Sequence, residues 1–298
     1  MEWNLGQLAA LAAVASEGTF DGAARRLHVS PSAVSQRVKA LEQMVGRVLV
    51  VRTHPARMTA SGEEVLRLAR QVEVLTDDAG RALGQAPSAP PSVPIVVNAD
   101  SLDTWALPAL APVADRVRVD IVREDQDHSA RLLRDGTAMA AVTSLRTPVQ
   151  GCTVTPLGRM RYRAMATPAY AERWFPDGVT VDALAVAPMV VFDRKDDLQD
   201  RYLRRRSQRA WSPPRHYVPA TAAFTRAVRL SFGWGLLMEL DVGVVGAADG
   251  LVELDPQRPV DVPLYWQQWK LRSPALDALA SAVADGARAA LRPPTRRR

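Results

Sequence analysis

Residues 19–44 read TFDGAARRLHVSPSAVSQRVKALEQM. Phe20, Ala23, Ala24 and Leu27 recur at helical spacing and define one apolar face. His28 and Val29 make a turn, and Ser30 is placed to cap a second helix with Pro31 at its first position, where a missing N–H costs nothing. In that second helix Val34, Val38 and Leu41 face inward, which leaves Ser32, Ser35, Gln36 and Lys39 outward with Arg37 beside them. Short polar side chains mixed with bases suit the major groove of double-stranded DNA: Ser and Gln meet base edges, Lys and Arg meet phosphates. The spacing therefore predicts a helix-turn-helix with 31–44 as its recognition helix. The same spacing also fits an ordinary helical hairpin.

Working outward, residues 48–60, VLVVRTHPARMTA, predict two short strands with a turn at His54–Pro55, flanked by Arg52 and Arg57. A basic hairpin directly after a recognition helix is a wing able to reach a phosphate backbone. The run AARRLHVSPSAVSQRVKALEQMVGRVLVVRTHPARMTASG resembles the N-terminal winged helix-turn-helix of the LysR-type transcriptional regulators. It shares the spacing from the Ala-Ala pair, through Ser-Ala-Val-Ser and the Leu-Glu near the helix end, to the Thr-x-x-Gly that opens the next helix. The expected DNA contacts are Ser30, Pro31, Ser32, Ser35, Gln36, Arg37, Lys39, Arg52 and Arg57.

The bounds agree. A chain of 298 residues holds two or three domains, and 47% hydrophobic with 23% charged residues is ordinary for a globular protein. No apolar run approaches the ~20 residues that span a bilayer. The N-terminus has no basic segment before its apolar part, so no signal peptide is expected and the location implied is cytoplasmic, with no membrane partner. Cys152 is the single cysteine, which excludes an internal disulfide. Residues 1–62 hold seven Lys/Arg against four Asp/Glu, so the DNA reading rests on where the bases fall and not on the net charge of +6.

In chain order, Leu5, Leu8, Leu11, Ala12 and Ala15 predict a helix over 4–16. From 61 to 84 a longer helix carries Val65, Leu68, Val72, Leu75, Ala79 and Ala82 as a heptad seam, to be buried on its own domain or on a second copy. The resemblance implies the second copy, giving a homodimer or homotetramer. Residues 85–92, QAPSAPPS, form a hinge linker. Beyond it strands at 93–98, 117–123 and 139–143 alternate with helices at 102–114 and 128–134. A second set follows, with helices near 169–175, 197–206 and 222–230 and strands at 189–192, 216–218 and 234–238. Extended stretches 162–167 and 264–271 cross between the sets, and a last helix covers 274–291. Such alternation predicts mainly parallel sheets. The fold class expected is α/β: an N-terminal winged helix-turn-helix (1–60), a long linker helix (61–84), the hinge (85–92) and a two-lobed, periplasmic-binding-protein-like α/β effector domain (93–298). Its lobe 1 spans about 93–163 plus 267–298 and its lobe 2 about 164–266.

The segments VNADSLDTW and EDQDH, with LPALAP, Gly151-Cys152 and the Ala-Pro-x-Val-x-Phe-Asp run at 187–193, resemble the ArgP/LysG branch of the family, which senses basic amino acids. The resemblance implies lysine or arginine as effector and control of amino-acid export or biosynthesis. Asp100, Asp103, Glu124, Asp125 and Asp193 lie at or just after predicted strands and suit a cationic ligand, and Ser101, Thr143 and Ser144 suit its carboxylate. Trp105 offers either a cation-holding face or a core side chain. Plainer readings stand beside these: Asp100 or Ser101 caps the following helix, Asp125 is a solvated turn residue and Asp193 begins a turn. Asp103 departs from the small residue common in relatives.

An enzyme is not expected. The four histidines (28, 54, 128 and 216) are scattered, and no nucleophile elbow, phosphate loop, metal site or cofactor motif occurs. Two rivals remain within DNA-binding proteins. One is a regulator answering to an organic or aromatic acid, with Arg123 and Arg194 as partners, and the other is a nucleoid-associated architectural protein. The tail RPPTRRR reads as a solvated end.

Overall fold

The computed structural model describes residues 2–84, 90–124, 126–242 and 250–294. Asp125, residues 85–89 of the hinge and the last four residues of the basic tail lie outside them. The chain forms two compact units. The first comprises Met1–Val97, Ala111–Thr155 and Trp266–Ala282, and the second Asn98–Leu110, Pro156–Tyr265 and Val283–Arg298. None of the described helices is long and apolar enough to cross a membrane.

The first unit opens with α1 (Leu5–Glu17), α2 (Phe20–Leu27) and α3 (Pro31–Val45). Each boundary has a local cause. The Thr19 hydroxyl accepts the Gly22 N–H at 3.0 Å, and His28 ends α2 in the left-handed region at φ 52°. Ser30 accepts the Ala33 N–H at 3.2 Å with Pro31 first in the helix, as the sequence predicts. Leu8, Leu11, Val14, Val34, Val38 and Leu41 are buried together, and β1 (Val50–Val51), β2 (Arg57–Met58) and α4 (Ala60–Ala82) close over them through Leu49, Val50, Val65, Leu66 and Ala69. The wing is a two-residue antiparallel ladder, Val50 opposite Met58 and Val51 opposite Arg57. Glu42 holds it to α3 by accepting the N–H groups of Leu49 (2.8 Å) and Val50 (3.1 Å). The Thr-x-x-Gly signature explains itself here. Thr59 donates to the Val48 carbonyl at 2.8 Å and caps α4 at Gly62, and a Cβ on Gly62 would collide with the Leu49 carbonyl.

Past the hinge come β3 (Ser92–Val97), α5 (Ala99–Ser101), a π-helical turn (Leu102–Ala106), α6 (Leu107–Leu110), a 3-10 turn (Ala111–Val113), β4 (Arg118–Arg123), α7 (Gln126–Arg134), β5 (Ala140–Thr143) and β6 (Cys152–Ala166). Then follow α8 (Pro168–Trp174), α9 (Val181–Val186), β7 (Met189–Val191), α10 (Leu198–Arg206), β8 (Arg215–Tyr217), α11 (Thr221–Arg229), β9 (Gly235–Met238), α12 (Glu239–Val242), β10 (Val252–Glu253), β11 (Val260–Trp269) and α13 (Pro274–Ala290).

In the first unit β3 lies between β4 and β5, parallel to both, with Ile95 opposite Ile121 and Ala140. The end of β11 adds beside β5, where the Trp269 N–H donates to the Met139 carbonyl at 3.0 Å. Gln267, fully buried, accepts the Val149 N–H and donates to the Leu145 and Thr147 carbonyls, so its amide organises the loop after β5.

In the second unit β9 and β10 pair antiparallel with β6, Tyr162 opposite Met238 and Glu253 opposite Met165. β7 and β8 form a separate parallel pair beginning at Met189 and Arg215, and Met189 also bridges Trp234 in parallel. Three sequence expectations need correction. The expected helix 102–114 starts earlier, at Ala99, and widens into a π-turn. Pro108 has no N–H to give and its ring crowds the carbonyl four residues back, so the turn before it opens. The crossing stretch expected over 162–167 is the far end of a strand of 15 residues. Helix α9 falls where the sequence predicts no element.

Candidate functional site

Two surfaces carry the chemistry. On the head, Ser32, Gln36 and Lys39 of α3 are exposed, and Ser35 and Arg37 are half-buried. Pro31 is exposed at the start of the helix, and Ser30 spends its hydroxyl on the cap and on a 2.9 Å contact with Ser32 Oγ. Arg52 lies over the Phe20 ring at 5.0 Å and donates to Ser35 Oγ at 3.1 Å, so the wing holds a recognition-helix side chain in place. Arg57 is exposed on β2. Of the expected DNA contacts, Arg52 and Ser35 are already engaged with each other.

The second surface starts where β3 runs into α5. Asp100 is half-buried and accepts the Tyr162 hydroxyl at 2.6 Å. Burial pushes the Asp100 carboxyl up to about 6 against the opposing pull of the Tyr162 hydrogen bond, and the negative charges of Asp196, Asp103 and Asp241 push it further. Tyr162 is itself driven well above its ordinary range by burial and by the Asp100 charge. Ser101 and Trp105 are buried, and Ser101 Oγ, Trp105 Nε1 and Asn98 Oδ1 have no hydrogen-bond partner among the described residues. The π-turn carries Asp103, which is exposed, and Thr104, whose hydroxyl donates to the Asp100 carbonyl at 2.6 Å. Asp103, Asp196 and Asp241 thus act on Asp100 electrostatically, and three polar atoms of the same stretch have no partner among the described residues. No three His, Cys, Asp or Glu among the described residues are grouped to hold a metal ion.

A winged helix-turn-helix and an α/β body with this acidic cluster frame the comparison with known proteins. Residues 5–63 match the bacterial regulatory helix-turn-helix protein family of the lysR type, and residues 95–288 match the LysR substrate binding domain. The chain belongs to the LysR family of transcriptional regulators. It is 47% identical over 293 residues to the HTH-type transcriptional regulator LysG of Mycobacterium tuberculosis (strain ATCC 25618 / H37Rv), covering 98% of this chain and 96% of that one. The crystal structure of ArgP from Mycobacterium tuberculosis superposes with a TM-score of 0.90 at 46% identity, covering 98% of this chain and 100% of that one. Full-length LysG from Corynebacterium glutamicum with bound effector Arg gives 0.80 at 40% identity and the same coverage.

Within this LysR-family chain the remaining expected residues fall as follows. Thr143, at the end of β5, is buried and accepts the Leu145 N–H at 3.2 Å, and Ser144 follows it half-buried. Glu124 is half-buried just after β4. These three belong to the first unit, whereas Asp100, Ser101, Asp103 and Trp105 share one short helical stretch of the second. Asp193 closes a turn by accepting the N–H groups of Lys195 (2.7 Å) and Asp196 (3.0 Å), the plainer of its two readings. Of the two arginines weighed for an acidic effector, Arg123 is exposed and Arg194 stacks over Tyr217 at 4.6 Å. Sequence reasoning missed Tyr162, Asp196 and Asp241. Asp196 carried the same signal as Asp193, an acid just after a strand, but Tyr162 meets Asp100 only through a fold contact across 62 positions.

Proposed function

We propose that this regulator binds operator DNA through the head and answers to a cationic amino acid, lysine or arginine, held at the Asp100 cluster. The observation that carries this is the electrostatic coupling of Asp100 to Asp103, Asp196 and Asp241, with the Tyr162 hydroxyl the one hydrogen-bond donor to the Asp100 carboxylate among the described residues. A half-buried carboxylate among like charges favours an ammonium or guanidinium ligand. Ser101, Trp105 and Asn98 then offer the polar atoms that would orient the rest of the ligand. The relative with bound Arg supports the same effector class.

In this reading residues 1–60 read DNA, 61–84 pair two copies, 85–92 act as a hinge and 93–298 sense the effector. Relatives named lysine export transcriptional regulatory proteins support amino-acid export as the controlled process, and a DNA target implies a cytoplasmic location. The effector changes DNA-bound geometry only through a difference in its affinity for two arrangements of the protein.

Thermal melting of the full chain against the twenty amino acids tests this, since stabilisation grows with ligand concentration over Kd. Lysine or arginine should raise Tm while acidic and neutral amino acids leave it unchanged. A rise with glutamate or an aromatic acid in place of lysine and arginine would overturn it.

A further inference from the structure

Arg52 is a cation on the wing of a DNA-binding head, a place that invites a phosphate contact. The structure gives it other partners. Its guanidinium lies 5.0 Å above the Phe20 ring and donates through Nη1 to Ser35 Oγ at 3.1 Å. Phe20 is the first residue of α2 and packs against the head core, so its ring is a fixed platform. A guanidinium stacked on an aromatic face keeps its N–H donors in one plane, aimed outward from its edge. Three parts of the head meet in this contact: α2 through Phe20, the turn after β1 through Arg52, and the recognition helix through Ser35.

The contact sets the polarity of Ser35. A serine hydroxyl has one hydrogen to donate and two lone pairs to accept with. On a helical turn the usual outlet for the hydrogen is the carbonyl four residues back. Thr76 and Thr104 use it, donating to the Val72 and Asp100 carbonyls at 2.8 and 2.6 Å. Ser35 does not: among the described residues the bond accepted from Arg52 is the one hydrogen bond of its side chain. Its hydrogen is therefore left for a group outside the chain. A cationic donor draws electron density from the oxygen, which strengthens the O–H as a donor and repels a second donor from the remaining lone pair. Ser32 shows the contrast, because its neighbour at 2.9 Å is the neutral Ser30 hydroxyl and either oxygen can donate.

We propose that Arg52 is a positioning residue for base recognition: it holds Ser35 as a hydrogen-bond donor, so that α3 selects a keto base, guanine or thymine, over an amino base, adenine or cytosine, where Ser35 meets the DNA. In the major groove guanine presents the acceptors N7 and O6, and thymine presents O4. Cytosine presents an amino donor, and adenine presents one beside its N7. The inference rests on α3 entering the major groove.

The test uses the full chain and a duplex that it selects from a randomised pool, with every single-base variant of that duplex compared by competition in one buffer. Competition within one protein sample reports preference and is insensitive to the folded fraction. The Ser35-dependent position should favour guanine or thymine by about fivefold. Ser35→Ala and Arg52→Ala should each reduce that preference to about twofold or less, and the double variant should go no further. Arg57→Ala, on the other wing strand, should leave it intact. Were Arg52 a plain phosphate contact, Arg52→Ala would weaken all duplexes alike, lower the salt slope by about one unit and keep the keto preference. That result would overturn the proposal. So would an adenine or cytosine preference at the Ser35-dependent position, a keto preference lost in Arg57→Ala as well, or a Ser35→Ala profile matching that of the unsubstituted chain. Gln36→Ala separates the last case from a misplaced helix. If it alters preference at a position of its own, α3 reads bases and the Ser35 assignment alone falls; if it alters none, the major-groove reading falls with it.

Discussion

Asp100 is held ionised at neutral pH against its surroundings, and that tension can be measured. Its carboxyl is raised from 3.8 to about 6, so the folded protein binds a proton that the unfolded chain has already lost. Stability therefore falls as pH rises from about 4 to 6, and the ionised group is a burden above that window. Asp100→Asn should raise the Tm of the ligand-free protein at pH 7.5 by an amount equivalent to about 1–3 kcal/mol, and should abolish the lysine-induced shift. The two changes have opposite signs, which separates loss of a charge from general damage. The same proton governs the effector: a protonated Asp100 offers an ammonium no charge, so lysine affinity measured by calorimetry should weaken as pH drops from 7.5 to 5. A pH-independent affinity would remove Asp100 from the site. Gly62 is the second decisive residue. Gly62→Ala drives a methyl into the Leu49 carbonyl at the root of the wing. It should cost about 1–3 kcal/mol in chemical denaturation and weaken operator binding beyond what stability alone explains.

Among the elements, β6 shows why part of the fold was hidden in the sequence. Pro156, Gly158 and three alternating arginines, 159, 161 and 163, look like a solvated loop. In the structure those arginines share one face of the strand and meet acids far along the chain. Arg161 grips Asp261 with two hydrogen bonds, at 2.7 and 2.9 Å, and Arg159 adds a third at 2.8 Å. Arg163 bonds Glu239 and Glu253, and Arg292 reaches Glu239 as well. No local pattern announces partners roughly a hundred positions away. The head was legible because its signals are local: Ser30-Pro31 starts a helix, Gly46 at φ 72° ends one, and valines and leucines recur at helical spacing between them. The polar cluster was half legible. Asp100, Ser101 and Trp105 follow a strand and could be singled out, but Tyr162, which donates to Asp100, could not. The ladder also predicts acid behaviour. The Arg161 hydrogen bonds hold Asp261 below the usual carboxylate range, so its stabilisation is present above pH ~4 and is lost as pH falls through its folded value. Asp261→Asn should therefore lower Tm by the equivalent of about 1–3 kcal/mol at pH 7, and by progressively less as the melt is repeated at more acidic pH.

For the whole molecule the open question is what covers α4. Its seam is used on two sides. Val65 lies in the head core, with Val72 packed against it, but Leu75 is 48% exposed and Leu83, just past the helix, 80%, with Ala79 and Ala82 open between them. A helix of 23 residues that leaves its distal apolar stripe in water gains nothing from it as a single chain. Pairing two such stripes buries them and holds two heads on one DNA, where the second head binds at the high effective concentration set by the first. Leu75→Glu combined with Leu83→Glu places like charges across that seam, and the circular-dichroism helix signal should be retained because both positions are solvent-facing in one chain. Sedimentation should then show a lower assembly state. Affinity for an operator with two half-sites should drop by roughly a hundredfold, while affinity for a single half-site should be unchanged because the helix-turn-helix is untouched. If both affinities fell together, the seam would be supporting the head itself. If neither fell and the assembly state held, the copies would be joined elsewhere and α4 would be only a spacer.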